Sequence, residues 1–238
     1  MTDRRQSFRD YLLEGAMIFV AVSLGFMADS LREYLADRDA ERAYMQAMAE
    51  DLRVDSVRLA DNVARLRRNL ANSDSLVHEF IAGRSTGRYA PAIAEHGRDA
   101  GNSVDLVFND RTASQLKGTG AMRLVRDSAV ASALLLYWNS QERLHEIHDR
   151  FESLRMEHRK VGWRAFNWYQ PVFARYRKQV PGITADQPPA IADASLVPEF
   201  VNTTSSLVNL AEAMFRPELE AEIALGTRIR ELIRQAYP

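Results

Sequence analysis

The pattern of apolar and polar positions separates an entirely apolar stretch near the start of the chain from the amphipathic segments that follow. Residues 15–28 contain no charged side chain, and Ser23 is the one strongly polar group among them. As a helix these residues rise only about 21 Å, whereas residues 11–31 rise about 31 Å and match a hydrocarbon core of about 30 Å. The pattern therefore predicts one transmembrane helix over residues 11–31, with Glu14 and Asp29 near the two interfaces.

Three other interpretations of this stretch are weaker. A buried core helix of a soluble protein has a similar length, so length alone does not exclude it. A cleaved signal peptide requires small residues before the cut, but Phe26 occupies that region and Glu14 interrupts the apolar run. An amphipathic helix lying in the membrane plane requires a polar stripe, which residues 15–28 lack.

The segment after the apolar stretch predicts a long helix that continues without a break. No glycine or proline occurs between Gly25 and Gly83, and most residues there favour helix. Apolar residues recur at steps of three and four, interrupted by Asp55 and Ser73, which indicates one buried stripe. The stripe consists of Met45, Met48, Leu52, Leu59, Val63, Leu66, Leu70, Val77 and Phe80.

The remaining segments also favour helix. Residues 83–109 predict a long connection with one short helix at its centre, and Thr112 is expected to cap a short helix that ends at Lys117. A turn at residues 118–120 precedes a long helix that begins at Asp127 and Ser128 and ends before Pro171.

The C-terminal part predicts a second loop at 181–198, followed by two closing helices at 200–214 and 217–237. Across the whole chain, the long helical runs and the absence of any sustained alternation with period two predict an all-α protein. We expect a flank at residues 1–10, the transmembrane helix at 11–31, and an antiparallel helical bundle at 32–238 that forms one extramembrane domain.

Composition narrows the classes of function. Basic and acidic residues nearly cancel to a net charge of −1, so the chain lacks the basic field that nucleic-acid binding requires. Cysteine is absent, which excludes disulfides, thiolate metal sites and a cysteine nucleophile. The chain also lacks the serine-hydrolase and nucleotide-binding sequence signatures. These features favour a binding protein over an enzyme and predict no cofactor.

Three stretches together resemble a family of uncharacterised bacterial single-pass membrane proteins. They read EGAMIFVAVSLGFMADSLRE, ERAYMQAMAEDLRVD and RTASQLKGTGAMRLVRDSAVASALLLYW, and the last places Thr112, Leu116, Gly120, Met122 and Leu124 at the spacing typical of that family. The resemblance implies an N-terminal anchor, a helical extramembrane domain and no assigned activity. Similar proteins tend to carry a tryptophan soon after the span, where this chain has Leu31 and Tyr34.

Three groups of residues are candidates for chemistry. Glu14 is a carboxylate at membrane depth, suited to proton relay or ion pairing, although its place near the helix end also lets it reach the headgroups. A second group provides one Glu-x-x-His unit that suits a divalent metal, but a di-metal bundle needs such units on two helices, so a solvated charged face is the favoured explanation. It comprises Glu142, His145, Asp149 and Glu152.

A third group mixes aromatic and basic side chains that suit contact with a lipid or protein surface. It comprises Trp163, Trp168, Tyr169, Arg175 and Arg177.

These observations predict a membrane-anchored helical binding or scaffold module, bound to the bilayer and to a protein partner or a second copy. One alternative is a homo-oligomeric, ion-conducting or stator-like component that uses Glu14, and another is a metal-dependent helical-bundle enzyme. Arg4, Arg5 and Arg9 precede the span, and the arginines after it are interspersed with acidic residues. The positive-inside rule therefore predicts a bacterial inner-membrane protein with a cytoplasmic N-terminus and a periplasmic domain.

Overall fold

The longest element of the described chain is one helix of 76 residues, α1 (Phe8–Gly83). The computed structural model describes residues 8–168 and 191–238. A helix of this size is about 114 Å long. Its apolar first part and its amphipathic second part form a single rod, which confirms the continuous helix predicted from residues 25–83.

The other helices pack beside the second part of α1 and make the protein all-α, as predicted. In chain order they are α2 (Ala92–Ala100), α3 (Arg111–Gly118), α4 (Ser128–Ala165), α5 (Val197–Leu210) and α6 (Arg216–Ala236), with 3-10 turns at Ala121–Leu124 and Ala194–Leu196. Asp127 begins α4 by accepting a hydrogen bond from the backbone N–H of Val130 (2.9 Å), so the predicted start of this helix is confirmed.

The three long elements form a bundle in which α1 and α4 run in the same direction and α6 runs against both. Near the apolar segment, Glu41 of α1 contacts the residues just before α4 and the end of α6. Further along α1, Asp55 meets Tyr137 of α4. Parallel packing of α1 and α4 is possible because residues 102–110 bring the chain back along α1, where Asn62 and Asn69 donate hydrogen bonds to the carbonyls of Asp105 (2.7 Å) and Asn102 (2.8 Å).

The core forms three apolar layers along the bundle. The layer nearest the apolar segment, the basal layer, includes Met45, Leu52, Leu134, Trp138 and Ile229. The middle layer includes Leu59, Leu66, Phe151, Phe215 and Leu219. The far layer includes Leu76, Ile93, Phe166, Val197 and Phe200. Most of the predicted stripe of α1 is buried, but Leu76 is fully buried where the sequence pattern favoured Val77.

The two closing helices predicted at 200–214 and 217–237 are joined in the structure, so the predicted break is wrong. Residues Ala211–Phe215 form a π-helical turn that continues α5 directly into α6. Pro217 has no N–H to donate to the preceding turn, and the wider π turn accommodates it without ending the helix. Ala211 and Phe215 are buried in the middle layer, which holds the turn in place.

One local prediction also differs from the structure. Thr112 does not cap α3, because it lies inside the helix and its backbone N–H donates to the Asp51 carboxylate of α1 (3.2 Å). A capping acceptor thus comes from a distant segment, which sequence spacing cannot reveal. The end of α4 agrees with the prediction, since the helix stops at Ala165, before Pro171, where Phe166 turns to extended backbone and bridges Ile191.

Candidate functional site

The first part of α1 presents its apolar side chains to the surroundings on every face. Within residues 11–35 the large apolar side chains are 45–72% exposed. This segment is long and apolar enough to cross a membrane, and none of its most apolar window is buried against the rest of the chain. Among the described residues nothing buries the most apolar part of this stretch, which argues against a core helix packed within its own fold.

Two arginines converge on Tyr34 where the apolar segment ends. The guanidinium carbon of Arg126 lies 4.5 Å from the centre of the Tyr34 ring, a cation–π distance. Arg38 reaches back one helical turn and donates from Nη1 to the Tyr34 hydroxyl at 3.5 Å. Because Arg126 lies just before α4, this contact places the start of α4 beside residue 34 of α1.

Next to Tyr34 and Arg126, the carboxylate of Glu41 connects three segments of the chain through hydrogen bonds. Its carboxylate is 4% exposed and accepts hydrogen bonds from the Arg126 backbone N–H and from the Tyr237 hydroxyl, both at 2.7 Å. Burial of the hydroxyl and its bond to Glu41 raise the pKa of Tyr237 to about 12. Helix α1, the turn before α4 and the end of α6 are therefore joined at the base of the bundle.

An open pocket of about 490 Å³ lies at this base. Its volume falls within the range of about 300–1,000 Å³ that is usual for ligand pockets. Three arginines and two acidic residues contribute to its lining, which consists of Arg38, Glu41, Arg42, Arg126, Asp127, Ala236, Tyr237 and Pro238. We call it the basal pocket.

A second polar cluster is buried between α1, α4 and α6. Asp55 accepts a hydrogen bond from the Asn109 backbone N–H (2.8 Å) and one from the Tyr137 hydroxyl (3.3 Å). Glu222 accepts one from Ser140 at 2.6 Å through Oε2, while its Oε1 has no hydrogen-bond partner among the described residues. Desolvation raises the pKa of Asp55 to about 6 and, with repulsion from Asp55, that of Glu222 to about 7.

His158 is a core histidine that the sequence analysis did not single out. It is fully buried, stacks on Phe200 at 4.3 Å, and hydrogen-bonds the Gly97 carbonyl through Nε2 at 2.9 Å. The Thr204 hydroxyl lies 3.2 Å from its Nδ1 and donates a hydrogen bond to the Phe200 carbonyl at 2.9 Å. Burial lowers the pKa of His158 to about 4, so the ring is neutral and holds α2, α4 and α5 together.

The predicted metal candidates do not assemble into a ligand set. His145 hydrogen-bonds its own helix at Gln141, and Glu152 pairs with Arg155. Within residues 8–168 and 191–238, no three His, Asp or Glu side chains lie close enough together to hold a metal ion. Glu142 and Asp149 therefore lie on a charged face of α4, as the alternative interpretation holds.

The aromatic candidates divide between surface and core. Trp163 is 56% exposed and stays a candidate for surface contact. Trp168 packs on Phe166 and Phe200, and its indole N–H donates to the Ala94 carbonyl at 3.0 Å, so this residue stabilises the far layer. Tyr169, Arg175 and Arg177 lie outside the described residues.

Glu14 lies on the exposed apolar segment, where no residue in the described part of the folded domain covers it. The basal group of Tyr34, Arg38 and Arg126 was not predicted, although an aromatic residue just beyond an apolar run, with an arginine four residues later, is a local signal for an interfacial site.

Comparison with protein-family models, with curated proteins and with solved structures finds no match to the chain.

Proposed function

We propose that the protein is a membrane-anchored helical scaffold, whose domain is held in a fixed orientation above the bilayer and binds a protein partner or a second copy there. The observation that carries the proposal is the exposed apolar segment at residues 11–35, which continues as an unbroken helix into the bundle. A flexible linker would leave the domain free to turn, whereas a continuous helix transmits the orientation of the anchor to the domain.

The energetic argument for a bilayer rests on the apolar side chains of this segment. Burying each large apolar side chain is worth about 1.5–3 kcal/mol, so lipid around this segment contributes on the order of 20 kcal/mol. The apolar length from Tyr11 to Leu31 matches one bilayer crossing. This favours a spanning helix over peripheral binding.

The position of the domain defines the partners it can reach. From Leu35 to Gly83, α1 extends about 70 Å, so the far layer lies well away from the headgroups. Exposed apolar side chains on α4, at Leu135, Leu136 and Trp163, are the candidate contact points for a partner protein. Arginines before the span support an inner-membrane location with this domain in the periplasm.

The alternative in which Glu14 moves ions requires more than one copy. In a single chain Glu14 would face lipid, and a carboxylate in a conducting path must instead face protein or water. That alternative therefore depends on association of the spanning helices. No specific contact among the described residues favours it over the scaffold.

Membrane fractionation tests the proposal. The full-length chain is expected to sediment with membranes and to resist carbonate extraction, and a variant that begins at Arg32 is expected to be a soluble helical protein. Circular dichroism and size-exclusion chromatography of the shortened chain check that the bundle is folded. A full-length chain that stays soluble without detergent would contradict the anchor.

A further inference from the structure

The two arginines at Tyr34 lie at the depth of lipid phosphates if residues 11–31 cross the bilayer. Tyr34 is about 4.5 Å beyond Leu31 along the helix, and the headgroup region of each leaflet is about 5–8 Å thick. Helical side chains lean toward the helix N-terminus, which for α1 is the side of the bilayer. Arg38 follows this rule, since its guanidinium reaches back to the Tyr34 hydroxyl.

The fold brings the second arginine to the same depth from a distant part of the chain. Arg126 precedes α4, and its backbone N–H is fixed by the buried carboxylate of Glu41. Its guanidinium carbon lies 4.5 Å from the centre of the Tyr34 ring, and its side chain is still 42% exposed. A guanidinium carries five N–H donors, so contact with the ring and with Glu41 does not use all of them.

The acidic residues of the basal pocket are already engaged by the fold. Glu41 accepts hydrogen bonds from Arg126 and Tyr237, and its ion pair with the Arg126 side chain is long at 3.8 Å. Asp127 accepts from the Val130 backbone N–H as the cap of α4. Both carboxylates keep their charge, but the guanidinium groups of Arg38, Arg42 and Arg126 outnumber them, which leaves an excess of positive charge for an incoming anion.

We propose that the basal pocket binds the phosphate group of an anionic phospholipid from the leaflet on the domain side. Arg38 and Arg126 would contact the phosphate, since the planar guanidinium matches the geometry of phosphate oxygens. Arg42 lies one turn farther from the bilayer and would contact a polar headgroup that extends into the pocket. This inference rests on the proposed membrane anchor, and it adds a lipid-specific contact that would hold the base of the bundle against the headgroups.

Lipid selectivity of the full-length chain tests the site. The protein is equilibrated in mixed micelles with equal amounts of phosphatidylglycerol and phosphatidylcholine, and native mass spectrometry measures which lipid stays bound. Wild type is expected to retain phosphatidylglycerol preferentially. The preference is expected to fall roughly fivefold for each arginine removed in Arg38→Gln and Arg126→Gln, because one interfacial cation is worth about 1 kcal/mol.

A matched control uses two exposed arginines of the same helix, far from the bilayer. Arg65→Gln combined with Arg68→Gln removes the same charge and is expected to leave the preference unchanged. Arg38→Lys combined with Arg126→Lys keeps the charge but loses the planar fork, and is expected to recover only part of the preference. Thermal unfolding of each variant checks that the bundle is intact.

The outcomes separate the site from the anchor. A chain that binds neither lipid and needs no detergent would overturn the anchor and the lipid site together. Stable membrane association without phosphatidylglycerol preference, or equal loss in the control pair, would overturn the site alone. The last experiment adds inorganic phosphate as a competitor of the bound lipid. If free phosphate at low concentration displaces the lipid, the pocket binds a soluble anion and the lipid proposal is contradicted.

Discussion

At the scale of single residues, the polar side chains on buried faces define much of the bundle. Asp55 and Ser73 interrupt the apolar stripe of α1 in the sequence, and both are buried in the structure. Asp55 receives hydrogen bonds from Asn109 and Tyr137, and Ser73 donates to a carbonyl of its own helix. The sequence pattern could locate these positions, but the partners of Asp55 depend on the path of residues 102–110 and on where α4 packs.

The most testable of these residues is Glu222, because burial raises its pKa from 4.5 to about 7. The folded state then binds a proton more tightly than the unfolded state, so the free energy of unfolding decreases as pH rises from about 4.5 through about 7. Glu222→Gln removes the buried charge and is expected to stabilise the protein by up to about 3 kcal/mol above pH 7. Urea unfolding at several pH values between 5 and 8 measures this difference.

The control for this change is Glu231→Gln, on the same helix but in an exposed pair with Arg234. An exposed ion pair is worth about 0–1 kcal/mol, so little change is expected at any pH. Equal stability of wild type and Glu222→Gln at pH 8 would show that the carboxylate is solvated. Asp55 has a raised pKa of the same sign, so some pH dependence is expected to persist in the variant.

At the scale of helices, the sequence supports strong predictions where structure is local. The length of α1, the αL turn at Gly120 and the Asp127 cap all follow from nearby residues and agree with the structure. The join between α5 and α6 could not be predicted, because Pro217 is a local helix-breaking signal that packing of Phe215 overrides. The continuous join between α5 and α6 therefore depends on core packing between distant segments of the chain.

A pair of proline substitutions on α1 tests where the folded domain begins. Ala36 and Ala64 are both exposed helical positions, but Ala36 lies between the apolar segment and the bundle whereas Ala64 lies beside the middle layer. Ala64→Pro is expected to destabilise the bundle by about 3 kcal/mol or more, because it breaks helical hydrogen bonds inside the packed region. Ala36→Pro is expected to change the unfolding free energy of the bundle far less.

Chemical unfolding in detergent, followed by near-ultraviolet circular dichroism, measures both variants against wild type. Lipid selectivity of Ala36→Pro provides a second readout, since a kink at this point would move Arg38 and Arg126 relative to the bilayer. Similar destabilisation by the two prolines would contradict a domain boundary near residue 36. It would indicate that the bundle depends on an intact helix through the end of the apolar segment.

At the scale of the whole molecule, the sequence predicts a helical bundle with an exposed apolar segment but does not reveal which end of the bundle lies next to that segment. That information lies in contacts between distant residues, such as Arg126 with Tyr34 and Tyr237 with Glu41. Both bring later parts of the chain to the end of the apolar segment. The metal hypothesis also depends on contacts at this scale, and within residues 8–168 and 191–238 the Glu-x-x-His unit on α4 has no matching donors on the helices beside it.

Sidedness is the prediction that decides which partners the domain meets. Arg4, Arg5 and Arg9 precede the span, whereas the arginines that follow it are interspersed with acidic residues. Positive-inside placement then gives a cytoplasmic N-terminus and a periplasmic domain. Because the chain contains no cysteine, a single introduced cysteine reports its own position without background.

Ala60→Cys places a thiol on an exposed face of the bundle, and Ser7→Cys places one before the apolar segment. Applied to intact spheroplasts, a membrane-impermeant maleimide is expected to label the cysteine at position 60 and to leave the cysteine at position 7 unlabelled until the cells are lysed. The opposite labelling pattern would contradict the proposed orientation. It would place the domain in the cytoplasm. The basal arginines would then contact the cytoplasmic leaflet, which is the side where lysine and arginine are enriched next to membrane spans.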